Sequence, residues 1–298
     1  MPLRLGSRGS ALALWQARHV EALLATRWPG LEVAITVIKT EGDVNLELSP
    51  AAAGGKGVFV KEIEDALLDG RIDLAVHSLK DLPTDGPRGL TIAAVPGRHD
   101  PRDALVAPSC RRIEDLPQGA LVATGSPRRR CQILTARPDL RFDAVRGNVD
   151  TRLRKLQEGR FDALILAVAG IERLGLASAP YTPIPTEQCL PAPGQGALAI
   201  QIRADDPATR ERVAPLDDPG ARAATTAERA FLAELEAGCL APAGALARVA
   251  GDALSVEGMR GDPDGAWIVR HEARGAASDA EALGRALARR LLDEGGAR

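Results

Sequence analysis

The sequence predicts an α/β protein with two domains of similar design, followed by a small α+β domain. Strand and helix signals alternate in the first third of the chain, and the same alternation returns in the middle third. After about Asp218 the pattern changes to hairpin strands between two helices. A chain of 298 residues is long enough for two or three domains.

The first third begins with a short apolar strand and an amphipathic helix. Ser10 is the expected N-cap of that helix, and Gly70 is expected to end the next one. The predicted elements are the strand Leu3–Gly6, the helix Ala11–Thr26, the strand Glu32–Lys39, the helix Phe59–Asp69 and the strand Ile72–His77.

The middle third repeats part of the first. Leu68–Ala75 resembles Gln157–Leu164, because both run from a helix through an acidic-Gly-Arg-apolar-Asp turn into a strand. Two domains of similar α/β design with right-handed crossovers would produce this pattern, and so would chance recurrence of one turn type. The predicted elements are the strands Ala120–Thr124, Arg141–Val145 and Ala163–Ala167, the helix Val149–Glu158, and a helix with Pro127 in its first turn.

Proline-rich segments flank the middle third and are predicted hinges, at Pro96–Asp103 and Pro183–Pro193. A small α+β domain is predicted beyond them from hairpin turns between short strands. Its elements are the helix Thr225–Glu236, the antiparallel strands Leu246–Ala250, Ala253–Arg260 and Trp267–Arg274, and the helix Ala277–Asp293.

The composition argues against several classes of protein. Hydrophobic residues make up 45% and charged residues 26% of the chain, as in ordinary globular proteins. Only 3% of the residues are aromatic, which disfavours binding of single-stranded nucleic acid by stacking. The sequence contains no run of about 18 apolar residues, so no membrane span is predicted. The N-terminus has no signal-peptide pattern, so we expect a cytoplasmic protein. The four Cys are widely spaced and are expected to be free thiols, and the four His form no metal-binding motif.

Arginine and serine recur where predicted strands run into helices. Helix N-termini bind anions through free N–H groups, and guanidinium groups bind carboxylates in a bidentate way. Ligands of open α/β sheets bind at the carboxyl edge of the strands. Each arginine alone also fits a solvated basic helix end, but their recurrence predicts a ligand rich in carboxylates or phosphates. The set is Arg8, Ser10, Ser126, Arg128, Arg129, Arg146 and Arg152.

Two further residues are candidates for chemistry. Asp81 follows a predicted buried strand, where a carboxylate can stabilise a developing positive charge or move a proton. Asp81 could instead cap a helix or form an ion pair with Lys80. Cys239 comes directly after Gly238, a residue type that often ends helices, and a loop thiol near arginine can act as a nucleophile. Alternatively, Cys239 is an unreactive, partly buried thiol.

Eight short stretches match one protein family in the same order along the chain. They are Arg8–Gln16, Gly54–Glu62, Ala75–Asp81, Arg128–Arg129 with Cys131–Gln132, Arg146–Val149, Leu166–Gly170, Pro191–Gly196 and Gly238–Cys239. Together they resemble the porphobilinogen deaminase family. Each match alone is weak, but their order over most of the chain makes the signal specific.

The resemblance implies a fold and a reaction. The expected fold has two periplasmic-binding-protein-like (type II) domains with mixed sheets, formed by residues 1–96 with 197–215 and by residues 102–190, plus a small α+β C-terminal domain, 219–298. The expected activity is that of a transferase of porphyrin and heme biosynthesis. It would join four porphobilinogen molecules, each losing ammonia, into hydroxymethylbilane. A dipyrromethane cofactor bound to Cys239 by a thioether would serve as primer.

The resemblance also assigns roles to residues. Asp81 is the implied catalytic residue, since it could stabilise the cationic azafulvene left by ammonia loss and accept pyrrole N–H bonds. The implied cofactor-binding residues are Cys239, Arg128, Arg129, Lys80, Ser78, Ser126 and Arg146. The implied substrate-binding residues are Arg8, Ser10, Arg146, Arg152 and Gln195. A monomer without metal, nucleic-acid or membrane partners is expected.

Three other functions stay open on the sequence. A solute-binding module for a carboxylated ligand would suit a two-lobed fold. A hydrolase with a Cys nucleophile would need a His partner, which none of the four His offers in a convincing motif. An inactive member of the family is conceivable because Pro127 and Ala237 depart from the family pattern.

Overall fold

The computed structural model describes residues 2–40, 60–176, 180–235 and 242–295. The glycine-rich segment 54–57 and the candidate thiol Cys239 lie outside the described residues. The chain divides into two compact units, which we call unit 1 and unit 2. Unit 1 comprises Met1–His99 and Ala197–Arg222, and unit 2 comprises Asp100–Gly196 and Ala223–Arg298.

The described part of the chain contains 13 strands and eight α-helices. The strands are β1 Leu3–Ser7, β2 Val33–Val37, β3 Leu74–Ser78, β4 Leu90–Ala94, β5 Asp103–Val106, β6 Leu121–Ala123, β7 Arg141–Asp143, β8 Ala163–Ala167, β9 Tyr181–Pro183, β10 Leu198–Arg203, β11 Ala243–Ala250, β12 Ala253–Gly261 and β13 Ile268–Ala276. The helices are α1 Ala11–Arg27, α2 Lys61–Leu68, α3 Pro127–Ala136, α4 Val149–Gln157, α5 Val168–Arg173, α6 Pro207–Val213, α7 Pro219–Glu234 and α8 Ala280–Gly295.

Unit 1 is built on a five-stranded mixed sheet in the order β2-β1-β3-β10-β4. β1 is parallel to β2 and β3, whereas β10 is antiparallel to β3 and β4. The predicted cap of α1 is confirmed, because the Ser10 hydroxyl accepts a hydrogen bond from the Ala13 N–H. Ala17, Val20 and Leu24 of α1 are fully buried and pack against strand residues of this sheet.

Unit 2 contains a five-stranded sheet with the same pattern of pairing, in the order β7-β6-β8-β5-β9. β6 is parallel to β7 and β8, and β5 is antiparallel to β8 and β9. The predicted similarity between the first and middle thirds is therefore confirmed at the level of sheet topology.

The repeated turn has the same backbone in both units. Gly70 follows α2 with φ of 70°, and Gly159 follows α4 with φ of 71°. Both angles lie in the left-handed region that glycine adopts at little cost, and each glycine ends its helix before a short crossing to the sheet.

The aspartate of each turn ties the incoming strand to its parallel neighbour in the sheet, β3 to β1 in unit 1 and β8 to β6 in unit 2. The Asp73 carboxylate accepts a hydrogen bond from the Arg4 N–H at 2.9 Å, and its own N–H donates to the Arg4 carbonyl. The Asp162 carboxylate accepts from the Leu121 N–H at 2.7 Å, and its N–H donates to the Leu121 carbonyl. One sequence motif thus makes the same long-range contact twice.

The C-terminal part of unit 2 is an antiparallel sheet in the order β11-β12-β13, packed against α7 and α8. Gly258 in β12 lies directly under Phe231, so that a Cβ atom at this position would come 2.5 Å from the phenyl ring. Glycine therefore allows sheet and helix to approach closely at this position.

The predicted fold class is confirmed as two mixed α/β sheets plus a small α+β part, although several bounds differ. Helix α7 begins at Pro219 instead of Thr225, and strand β7 ends at Asp143 instead of Val145. Strand β5 begins at Asp103, within the segment that was predicted to be a hinge. Strands β4, β5, β9 and β10 are not among the predicted elements, because short strands flanked by proline or lacking alternation give weak local signals. None of the described helices combines the length and the apolar character needed to cross a membrane.

Candidate active site

A pocket in unit 1 lies at the carboxyl ends of β1 and β3. These strands are parallel neighbours, so the residues that follow them share one edge of the sheet. The pocket collects four residues that the sequence analysis assigned to the site, namely Arg8, Ser10, Ser78 and Asp81. Lys80, the fifth candidate from this region, is half-buried in the same turn as Asp81.

Asp81 is carried by a single 3₁₀ turn, Leu79–Asp81, directly after β3. The turn is anchored by the buried Leu79 side chain and by a hydrogen bond of 3.1 Å from the Leu79 N–H to the Ala197 carbonyl. Asp81 itself is exposed at the pocket. The backbone of Asp81 is therefore held in place, and the residue lines the space where a ligand can bind.

Gln16 supports this edge from helix α1. Its side chain is buried, and its Nε2 donates a hydrogen bond of 2.7 Å to the Ser78 Oγ. Gln16 has no predicted role, although it is the last residue of the stretch Arg8–Gln16 that carries the family resemblance.

A chain of polar side chains leads from the pocket wall at His77 into unit 1. His77 Nε2 lies 3.0 Å from Gln201 Oε1, and Gln201 Nε2 donates to Glu64 Oε1 at 2.9 Å. Since the oxygen of Gln201 faces His77, the imidazole Nε2 carries the hydrogen. Burial lowers the pKa of His77 to about 4, against a smaller opposing effect of the bond to Gln201, so the imidazole is neutral at neutral pH. Burial also raises the pKa of Glu64.

In unit 2, Arg128 and Arg129 both pair with one buried carboxylate, Asp103. Arg128 Nη1 donates to Asp103 Oδ2 at 2.7 Å and to the Leu190 carbonyl at 2.6 Å. Arg129 binds Oδ1 side-on, with Nε at 3.0 Å and Nη2 at 2.7 Å, while its Nη1 donates to the Ile165 carbonyl. Pro127 and the Ser126 cap start helix α3, whose first turn carries both arginines.

Two more side chains reach the same carboxylate. Gln195 Nε2 donates to Asp103 Oδ1 and to the Pro101 carbonyl, both at 2.8 Å, and Gln195 is 1% exposed. The Cys189 thiol lies 3.4 Å from Oδ2, and burial together with the charge of Asp103 raises the pKa of this thiol to about 12. Burial alone would raise the pKa of Asp103, but the two guanidinium charges and their hydrogen bonds hold it well below its usual range.

The remaining predicted arginines follow strand β7. Arg146 is exposed, and Arg152 on α4 donates from Nε to the Gly147 carbonyl at 2.8 Å. Burial, and then the positive charge of Arg129, lower the pKa of Arg152. Arg152 and Arg129 are therefore close enough to repel each other, and an anion bound beside them would relieve that repulsion.

The arginines follow from the sequence, but the carboxylate that organises them does not. Asp103 was included in a hinge segment, and its only sequence signal is its place in the stretch Asp100-Pro-Arg-Asp103 ahead of an apolar run.

Comparison with known proteins identifies the family. The model described as "Porphobilinogen deaminase, dipyromethane cofactor binding domain" matches residues 3–211, and "Porphobilinogen deaminase, C-terminal domain" matches residues 223–293. The chain belongs to the porphobilinogen deaminase family. The resemblance drawn from the eight short stretches is thereby confirmed.

Curated members of the porphobilinogen deaminase family align over almost the whole chain. The "Porphobilinogen deaminase" of Roseiflexus sp. (strain RS-1) is 52% identical over 294 residues, covering 99% of this chain and 97% of the relative. That of Syntrophus aciditrophicus (strain SB) is 48% identical over 294 residues, covering 99% and 96%.

Solved structures with similarity to this member of the porphobilinogen deaminase family include two binding proteins. One is the periplasmic aliphatic sulphonate binding protein SsuA from Escherichia coli, with a TM-score of 0.41, 17% identity, and coverage of 79% of this chain and 70% of that one. The other is the probable amino-acid ABC transporter extracellular-binding protein YtmK from Bacillus subtilis, with a TM-score of 0.44, 12% identity, and coverage of 72% and 90%.

Proposed function

We propose that this protein is a hydroxymethylbilane synthase, a transferase that joins four porphobilinogen molecules into a linear tetrapyrrole. In each addition the C–N bond of the aminomethyl group breaks and ammonia leaves. A C–C bond then forms between the freed methylene carbon and a ring carbon of the terminal pyrrole in the growing oligopyrrole. That ring carbon loses its proton. The observation that carries the proposal is the cluster of buried guanidinium groups around Asp103 in a chain of this family.

The described residues fit a dipyrromethane group, whose pyrroles carry acetate and propionate. Arg128, Arg129 and Arg152 contribute three positive charges and Asp103 one negative charge, which leaves an excess of two positive charges at a largely buried place. Arg128 Nε and Nη2 make no hydrogen bond to any residue in the described ranges. Guanidinium groups whose positive charge is not balanced by a neighbouring carboxylate bind the carboxylates of a ligand well. When bound through Cys239, the group supplies a nucleophilic pyrrole carbon as the primer.

In unit 1 we assign the chemistry of ammonia loss to Asp81. Its carboxylate is exposed at a pocket that also contains a guanidinium and two hydroxyls, those of Arg8, Ser10 and Ser78. There Arg8 and Ser10 would bind a substrate carboxylate, Ser78 and Lys80 would support the cofactor, and Asp81 would face the pyrrole N–H. A carboxylate in this place stabilises the positive charge that develops as ammonia leaves, and it can move the proton.

In unit 2 we assign the binding of carboxylates to arginine. The cofactor would be held by Arg128, Arg129 and Ser126, and the growing pyrrole chain by Arg152. The exposed Arg146 would bind both. Gln195 was assigned to substrate binding. Its side chain donates to Asp103 and Pro101 and is almost completely buried, so its support for binding would come through the arginine pair.

We further propose three domains, formed by residues 1–96 with 197–215, by 102–190 and by 219–298. Three separate sheets support this division. The enzyme would act as a cytoplasmic monomer, without nucleic-acid or membrane partners. The low aromatic content and the net charge of -2 argue against a nucleic-acid partner.

Intact-protein mass spectrometry and a turnover assay test the proposed function together. Wild type should carry an added mass of two porphobilinogens less two ammonias, and it should convert porphobilinogen to hydroxymethylbilane. Cys239→Ser should lack both the mass and the activity. Cys110→Ser, at a half-buried thiol of unit 2, should keep both. Wild type that acquires no mass even after incubation with porphobilinogen would show an inactive relative or a binding module.

A further inference from the structure

The carboxylate of Asp103 is saturated by donors from four different side chains. Oδ1 accepts from Arg129 Nε, Arg129 Nη2 and Gln195 Nε2, and Oδ2 accepts from Arg128 Nη1 and from the Cys189 thiol. Asp103 is 0% exposed, so no ligand reaches it through solvent. Its effect on any ligand must be transmitted by the groups that it holds.

Without Asp103, two guanidinium groups would be buried without a counter-ion. Arg128 and Arg129 are 4% and 7% exposed, and Asp103 is the only acidic residue that pairs with either of them among the described residues. A buried charge without a partner is strongly unfavourable. The carboxylate therefore makes it possible to keep both arginines charged in a closed place.

Asp103 also fixes the directions of the donors that stay available. Side-on binding of Arg129 and the bond to the Ile165 carbonyl fix the plane of that guanidinium. Arg128 Nη1 is fixed between Asp103 and the Leu190 carbonyl, which leaves Nε and Nη2 at the opposite edge of the group. Donors that are oriented before a ligand arrives need no reorganisation when it binds.

We propose that Asp103 is a positioning residue for binding of the dipyrromethane carboxylates, acting through Arg128 and Arg129 and supported by Gln195. This inference rests on the proposed function. Asp103 touches neither cofactor nor substrate in this assignment. It sets the orientation of the two guanidinium groups and reduces their combined charge, so that they bind carboxylates without repelling each other.

The test compares Asp103→Asn with Asp139→Asn in the full-length protein. Asp139 is a matched control, because it binds Arg137 side-on with Nε and Nη2 each at 2.7 Å in a half-buried pair of the same unit. For each background, melting temperatures are measured with Cys239 intact and with Cys239→Ser. Their difference reports how much the bound cofactor stabilises the protein, and a purely structural residue leaves that difference unchanged.

Asp103→Asn should lower the cofactor occupancy seen by intact mass, shrink the melting-temperature difference and raise KM for porphobilinogen by roughly tenfold, the usual effect of losing a charged hydrogen-bond partner. Asp139→Asn should change none of these three. If Asp103→Asn leaves the cofactor occupancy, the melting-temperature difference and KM all unchanged, the positioning role is overturned. The proposed function still stands in that case, provided that wild type carries the cofactor and is active. A wild type without added mass overturns the proposed function and this inference with it.

If Asp103→Asn does not fold, Gln195→Leu replaces it in the same comparison. This change removes one donor to Oδ1 and keeps every charge. A smaller but same-signed loss of cofactor stabilisation supports the proposal, and an undiminished temperature difference overturns it. That readout is taken without substrate, so a direct contact between Gln195 and substrate does not affect it.

Discussion

The Nε2 of Gln16 donates a hydrogen bond of 2.7 Å to the Oγ of Ser78, across 62 residues of sequence. Because the Ser78 oxygen accepts this bond, its own hydroxyl hydrogen is left to donate to a ligand in the unit 1 pocket. Gln16 is 3% exposed and cannot easily turn away. The donor direction of Ser78 is therefore set from helix α1.

Replacing Gln16 with Leu should weaken binding at this pocket without unfolding the protein. Loss of one neutral hydrogen bond of about 1 kcal/mol corresponds to a rise in KM for porphobilinogen of roughly fivefold. Steady-state kinetics and thermal melting measure the two effects separately. Gln188→Leu, which removes an amide bonded to Glu114, is the control and should leave KM unchanged.

Asp81→Asn should nearly abolish turnover while the fold and the bound cofactor remain. The change keeps the shape of the side chain but removes the charge and the proton-accepting oxygen, which for general acid–base groups is worth about 10²- to 10⁴-fold. Circular dichroism and intact mass verify fold and cofactor before the rate is measured. Asp69→Asn, at an exposed carboxylate of the same unit, should keep full activity. Near-normal rates in Asp81→Asn would contradict the catalytic role.

Arg146→Leu should raise KM for porphobilinogen or slow chain growth, because an exposed guanidinium that binds carboxylates is lost. Arg154→Leu is the matched control on the neighbouring helix α4, where the arginine makes an exposed pair with Glu158 at 3.6 Å. Equal kinetics for the two variants would remove Arg146 from the site.

The buried His77 predicts a loss of stability in mild acid. Its pKa in the folded protein is about 4, whereas an imidazole in the unfolded chain titrates near 6.5. Between these values the unfolded chain binds a proton that the folded protein does not. The neutral, buried His77 therefore makes its full contribution to the free energy of unfolding above pH 6.5. As the pH falls towards 4, the free energy of unfolding decreases by up to about 3 kcal/mol.

Denaturant unfolding between pH 7 and pH 4 measures this effect of His77. His77→Gln can still donate to Gln201, but it does not titrate, so the free energy of unfolding of this variant should fall less than that of wild type over the same range. Parallel curves for the two proteins would show that His77 does not contribute to the pH dependence.

The two turn glycines should respond alike to substitution. Gly70→Ala and Gly159→Ala each force a side chain into a left-handed backbone, although no atom lies within 4 Å of the added methyl group. Each should lower the free energy of unfolding by about 1 kcal/mol. Gly86→Ala, where φ is not in that region and space is also open, should be close to neutral.

Much of the fold followed from local signals in the sequence. Ser10 and Pro127 mark helix starts through contacts within one turn, and the acidic-Gly-Arg-apolar-Asp motif marks the same helix-to-strand turn in both units. The strands β4, β5, β9 and β10 were missed, since each is placed by pairing with distant segments. Strand β10, for example, inserts between β3 and β4 from more than a hundred residues away.

By itself the sequence determined the family, the α/β design and the candidate residues Asp81 and the arginines, because motifs, caps and periodicity depend on neighbours along the chain. Only the tertiary structure decided how these residues are supported. Asp103 meets Arg129 across 26 residues and Gln195 across 92, and His77 meets Gln201 across 124. Such contacts depend on strand order and register, which place a carboxylate or an amide beside a distant partner, and no local pattern encodes that placement.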